Sequence, residues 1–192
     1  MRAIWQGLEE LFGEIEAAFQ KAKKDYPREV RCRLGCDDCC YALFDLSLAE
    51  AALIQKEFRR LPRKKRREII RRLEKYEKEW QKKKPPLLTP FVLSTIKIRC
   101  PLLNDKRQCD LYHARPATCR LYGIPVEIDG ETFVCGHSGF EPGKKYPTVI
   151  FAKVQERLSA LSEKIAPDGG KLRVSLSAAL RGTFPGVQFL SE

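Results

Sequence analysis

The stretch Cys32-Arg33-Leu34-Gly35-Cys36-Asp37-Asp38-Cys39-Cys40 places four sulfurs within nine residues. Cys100, Cys109, Cys119 and Cys135 complete the eight cysteines of the 192-residue chain. None lies near either end, so the thiols mark out a central segment. Gly35 can take a positive backbone angle at low cost, which allows a tight turn between Cys32 and Cys36. A helical turn starting near Asp37 would bring Cys36, Cys39 and Cys40, at i, i+3 and i+4, onto one face. Asp37 and Asp38 would then sit at its favourable N-terminal end.

Working outward, the segments on both sides read as helices. Ile4, Leu8, Leu11, Phe12, Ile15, Phe19 and Ala22 recur at three- and four-residue steps and predict an amphipathic helix over 3–24. Ser47 followed by Glu50 is a capping box and opens a helix through Ile54 and Phe58 to Pro62. A basic helix follows over 63–83, with Ile69, Ile70, Leu73, Tyr76 and Trp80 as its apolar stripe. Pro85-Pro86 ends it.

Residues 91–103 are rich in β-formers and predict a strand into Cys100. Asn104-Asp105-Lys106-Arg107 reads as a turn, and a short return strand carries Cys109, Leu111 and Tyr112. A helical turn after Pro116 holds Cys119 and Arg120. Asp129-Gly130 predicts a second hairpin. Val149, Ile150, Val154, Leu158, Leu161 and Ile165 predict a last long helix over 148–165, and a short helix is expected near 175–180. These elements give an α+β chain, mostly α-helical, in which amphipathic helices pack around a cysteine-rich metal centre with short β-hairpins. The length suits a single domain over 1–192, with a cysteine-cluster core at 32–135 between the two flanking helices.

No signal-peptide core and no stretch of membrane-spanning length is present, so the expected location is cytoplasmic. Reducing cytoplasm points clustered cysteines toward metal or redox chemistry rather than a disulfide framework. Thiolates are soft donors that select zinc, copper(I) or iron–sulfur clusters, and a tetrahedral site takes four. The candidate ligands are Cys32, Cys36, Cys39, Cys40, Cys100, Cys109, Cys119 and Cys135, enough for one or two centres of zinc or an iron–sulfur cluster. Four thiolates on Zn²⁺ leave a net charge of −2, which Arg115 and Arg120, flanking Cys119, would offset from outside the ligand shell. His113 and His137 are the two histidines, and sequence leaves open whether either is a ligand.

The formal net charge is +11, and much of the excess lies between Arg59 and Lys84. An acidic protein partner would suit it. Tyr76 and Trp80 fall on the apolar stripe rather than among the charges, which disfavours a nucleic-acid site and favours a solvated helix face.

The 32–40 stretch, Cys100-Pro101-Leu102-Leu103, Cys109-Asp110-Leu111-Tyr112 and Ala114-Arg115-Pro116-Ala117-Thr118-Cys119-Arg120-Leu121-Tyr122 resemble the YkgJ-type cysteine-cluster family. That family is also called the zinc- or iron-chelating CxxCxxCC domain. Its pattern is C-x-x-C-x-x-C-C, then C-P-x-L, C-x-[IL]-Y and R-P-x-x-C-R-x-[YF]. The resemblance spans about residues 32–122, with three residues rather than two between Cys32 and Cys36. It implies a metal or iron–sulfur protein of bacterial type and no settled activity. Flagellin lysine N-methylases carry a related cysteine domain, so an iron–sulfur-dependent protein-modifying enzyme is one alternative. The chain has no Gly-rich nucleotide loop after a strand to support it. A basic nucleic-acid or protein interaction module is the other.

Overall fold

A computed structural model describes residues 1–33, 35–86 and 96–184. Within them the fold is α+β and mostly helical. The first helix, α1 (Arg2–Asp25), buries Ile4, Leu8, Leu11, Phe12, Ile15 and Phe19. Lys23 and Lys24 complement its dipole at the C-terminal end.

A two-residue strand, β1 (Leu46–Ser47), leads into α2 (Leu48–Arg60). The capping box forms: Ser47 Oγ accepts from Glu50 N at 3.2 Å, and Ser47 N donates to Glu50 Oε2 at 2.9 Å. Pro62 separates α2 from α3 (Arg63–Lys83). On α3 only Ile69 and Leu73 are fully buried, while Ile70, Tyr76 and Trp80 are partly exposed. The expected stripe is therefore narrower than its apolar residues suggest.

The short α4 (Ala117–Leu121) carries Cys119. Next come β2 (Val126–Ile128) and β3 (Glu131–Phe133), antiparallel about Asp129-Gly130. Asp129 and Gly130 have φ of 53° and 84°, the paired positive angles that a two-residue hairpin of this twist requires.

Two expectations are corrected. Val149 and Ile150 do not open the last long helix. They form β4 (Val149–Ile150), parallel to β2, and α5 runs Phe151–Glu163 rather than 148–165. Both residues are β-branched, and the free edge of β2 offers their backbone partners that a helix start does not. The expected strand pair around Cys100 and Cys109 reduces to one bridge, Leu103 with Cys109. Pro101 has no N–H to give a ladder. Asn104 Oδ1 instead accepts from Lys106 N and Gln108 N at 2.9 and 3.0 Å, which closes the expected turn. The part of the expected strand at 91–95 lies outside the described residues.

The chain ends its described course with β5 (Arg173–Val174), antiparallel to β1, and α6 (Leu176–Arg181), capped by Ser175 Oγ accepting from Ala178 N at 3.1 Å. Two apolar clusters form the interior. One joins α1, α4 and α5 with Ala49, Val30, Ile124 and Phe140. The other joins Leu48, Ala51, Ile54 and Phe58 of α2 to α3, α6, Leu102 and Leu111. Each buried leucine or isoleucine in them contributes roughly 1.5–3 kcal/mol. Cys32 packs against the first cluster, and Cys100 and Cys109 against the second. No helix among the described residues is long and apolar enough to cross a membrane.

Candidate metal centre

The cysteine stretch folds as a sharp turn and then a 3-10 helix, Asp38–Tyr41. Gly35 takes φ 86°, and Cys40 N donates to Asp37 O at 2.8 Å. Cys39 and Cys40 thus lie on this 3-10 helix, and Cys36 immediately precedes its N-cap residue Asp37.

Three further segments are fastened to this turn or to each other. Cys100 N donates to Cys40 O at 2.7 Å and Ile98 N to Tyr41 O at 3.3 Å, which lays the 98–110 loop alongside. Arg107 closes a two-pronged pair on Asp37, with Nε to Oδ2 at 3.0 Å and Nη2 to Oδ1 at 2.6 Å. Buried Glu50 reaches α4: Ala117 N donates to its Oε1 at 2.8 Å. One carboxylate therefore caps both α2 and the helix that carries Cys119. Cys135 follows the β2–β3 hairpin and directs its thiol to Asp38 Oδ2, 3.4 Å away.

All eight cysteines are free thiols; Cys36 is exposed and the others partly buried. They fall into two neighbouring groups. Cys40 and Cys119 each feel the charges of Cys100 and Cys109. Cys32 feels Cys36, Cys39 and Cys135. Cys39 acts on both groups. The second group, with Arg31, Tyr122, Gly123, His137 and Ser138, lines a cavity of about 20 Å³, enough for roughly one water-sized occupant.

Burial, reinforced by neighbouring thiols, pushes Cys32 up to about 11. Burial also lifts Cys100 to about 12 and Cys109 to about 11, and raises Cys119 and Cys135. A hydrogen bond between neighbours holds Cys39 low and drives Cys40 up. Clustered thiolates repel one another in a poorly solvated place, so ionising them together calls for a cation.

Arg115 supplies such a charge from the protein, favouring the thiolates of Cys39, Cys109 and Cys119. Its guanidinium stacks on Tyr112, 3.7 Å from the ring centroid, and donates to Tyr112 O at 3.1 Å. Arg120 lies over Phe12 and donates to Arg115 O and His113 O at 2.9 and 2.6 Å. Among the described residues, then, both arginines hydrogen-bond to backbone rather than to sulfur. His137 Nε2 lies 3.4 Å from Asp38 Oδ1, beside Cys135, whereas His113 meets the Tyr112 ring edge-on.

Sequence reading missed the polar residues that assemble the site. In the sequence Asp38 is a helix-end charge, yet in the fold it links Cys135 and His137. Asp110, next to Cys109, is paired with Lys65 and Arg72 of the basic helix. Nothing in the chain signals those long-range pairs except the adjacency of Asp37, Asp38 and Asp110 to cysteines.

Among the described residues, no three Cys, His, Asp or Glu side chains stand in the arrangement of a closed metal site. The donor set nonetheless suits a thiophilic metal: reduced sulfurs from four segments, gathered at one turn and poorly placed to ionise alone. Fold and thiols together define a helical cysteine-cluster protein. The chain belongs to the CxxCxxCC family, described as "Putative zinc- or iron-chelating domain", whose profile matches residues 31–135. No curated protein and no solved structure matches it.

Proposed function

We propose that the protein is a cytoplasmic metal-binding protein whose cysteines hold zinc or an iron–sulfur cluster in one or two centres. The observation that carries this reading is the convergence of free thiols from distant segments on the cysteine turn: Cys32, Cys36, Cys39 and Cys135 line one cavity, and Cys100 N donates to Cys40 O beside it. Cys40, Cys100, Cys109 and Cys119 would form one four-sulfur set. Cys32, Cys36 and Cys135 would form a second, with Cys39 between the two, and Asp38 and His137 are the non-sulfur donors beside Cys135. A bound metal would supply folding free energy by tying these segments together. Arg115 would offset part of the charge of the ligated thiolates.

The basic helix is read here as a solvated face. Lys64, Arg67, Arg71, Lys75, Lys78 and Lys82 are exposed, and Tyr76 packs against the second core cluster, which takes that ring away from the charges, while Trp80 stays partly exposed.

Anaerobic purification, elemental analysis and a visible spectrum test the reading. One or two metal centres per chain are expected. Serine at Cys100, Cys109 or Cys119 should lower metal content, while serine at Cys32 should leave the four-sulfur set loaded. Metal-free protein with unchanged stability and eight freely titratable thiols refutes it.

A further inference from the structure

The loop that carries Cys100 and Cys109 is held from outside by α3. Asp110 follows Cys109 directly, and its side chain is only 2% exposed. Its Oδ1 accepts from Lys65 Nζ at 2.8 Å and from Asn104 Nδ2 at 2.9 Å. Its Oδ2 is paired with Arg72 Nη2. The same guanidinium reaches the other end of the loop, where Arg72 Nε donates to Pro101 O at 2.8 Å, next to Cys100. Asp110 N completes the closure by donating to Leu102 O at 2.8 Å. One arginine thus grips the residues after two cysteines at once. Tyr76, one turn further along α3, lies close enough to Cys100 for that thiol's charge to act on it.

We infer that Asp110, clamped by Lys65 and Arg72, is a positioning residue for Cys100 and Cys109, so that α3 is the outer support of the metal centre. The inference rests on the metal-binding reading above. Buried charged pairs of this kind contribute geometry more than net stability, because desolvation cancels much of their attraction. Residues standing outside a ligand shell set ligand orientation, and removing one costs roughly 10–100-fold in metal affinity.

The test separates positioning from simple charge compensation. Asp110→Asn keeps the size of the side chain and leaves Lys65 and Arg72 uncompensated, adding positive charge beside the thiolates. Charge compensation alone then predicts tighter metal binding; positioning predicts weaker. Arg72→Lys keeps the charge and loses the fork between Asp110 and Pro101. Zinc affinity is measured by competition with a chromophoric chelator, and ligand geometry by the thiolate–cobalt(II) absorption bands, alongside the unfolding midpoint of the metal-free protein.

Both variants are expected to bind zinc roughly 10–100-fold more weakly, with altered cobalt bands. Equal or tighter binding in the variants overturns the inference. Should Asp110→Asn fail to fold, Arg72→Lys alone decides. Wild-type protein that takes up neither zinc nor cobalt refutes the metal reading itself, and is told apart because the loss then precedes any substitution.

Discussion

Replacing Glu50 by glutamine tests the link between helix capping and the cysteine site. Glu50 is 4% exposed. Its Oε2 accepts from Ser47 N and Ser47 Oγ at 2.9 and 2.7 Å, and its Oε1 from Ala117 N at 2.8 Å. Glutamine fills the same volume, so no cavity term enters, but it keeps only one acceptor oxygen. If that oxygen faces Ser47, the amide –NH2 meets the Ala117 N–H, and a buried donor is left without a partner. A hydrogen bond to a charged group contributes about 1.5–3 kcal/mol, and an orphaned buried donor costs about 1–3 kcal/mol. Relief from burying a carboxylate offsets part of this. The net expectation is a loss of about 2 kcal/mol in Glu50→Gln, read as a lower urea midpoint at unchanged slope in reduced, metal-free protein. Metal content should fall as well, because Ala117 opens the helix bearing Cys119. Ser47→Ala should cost about 1 kcal/mol, the usual value of an N-cap, and spare metal content. A midpoint for Glu50→Gln equal to or above wild type would refute the reasoning, since desolvation relief would then outweigh the hydrogen bonds.

Gly123 has φ 109°, and a Cβ there would stand 3.1 Å from Cys32 Cβ; Gly123→Ala should cost about 1–3 kcal/mol and raise the reactivity of Cys32 toward a thiol reagent. Glu77 on α3 is held below the ordinary glutamate range chiefly by its hydrogen bonds from Arg181, against a smaller upward push from burial. A depressed folded value means its stabilisation is complete above the unfolded value of about 4.3 and fades as pH falls through the folded one. Glu77→Gln should therefore cost about 1 kcal/mol or less at pH 7, the pair being partly exposed, and nothing in strong acid; a pH-independent difference between the melting curves would contradict this. Neutralising Lys64, Arg67, Arg71, Lys75, Lys78 and Lys82 to glutamine should change the unfolding midpoint little and metal content not at all, since these side chains are exposed. A salt-sensitive affinity for duplex nucleic acid that vanished in this variant would overturn the reading of α3 as a solvated face.

The sequence by itself determined those features that carry a local code. The apolar period of α1, the Ser47–Glu50 capping box, the Pro62 break and the Asp129-Gly130 turn act between residues close in the chain, and all appear where their patterns place them. Cysteine count and spacing likewise indicated chelation chemistry, in agreement with the family profile over residues 31–135. Only tertiary structure decided which thiols lie near one another, because that depends on where the 98–110 loop and the segment after β3 dock against the cysteine turn. It also decided that Val149 and Ile150 form a strand, through the neighbouring edge of β2. The polar fastenings were settled in the same way. Asp37 with Arg107, Glu50 with Ala117, and Asp110 with Arg72 join residues tens of positions apart. A carboxylate in sequence shows only that it must be solvated or paired if buried; its partner exists only once the chain has folded.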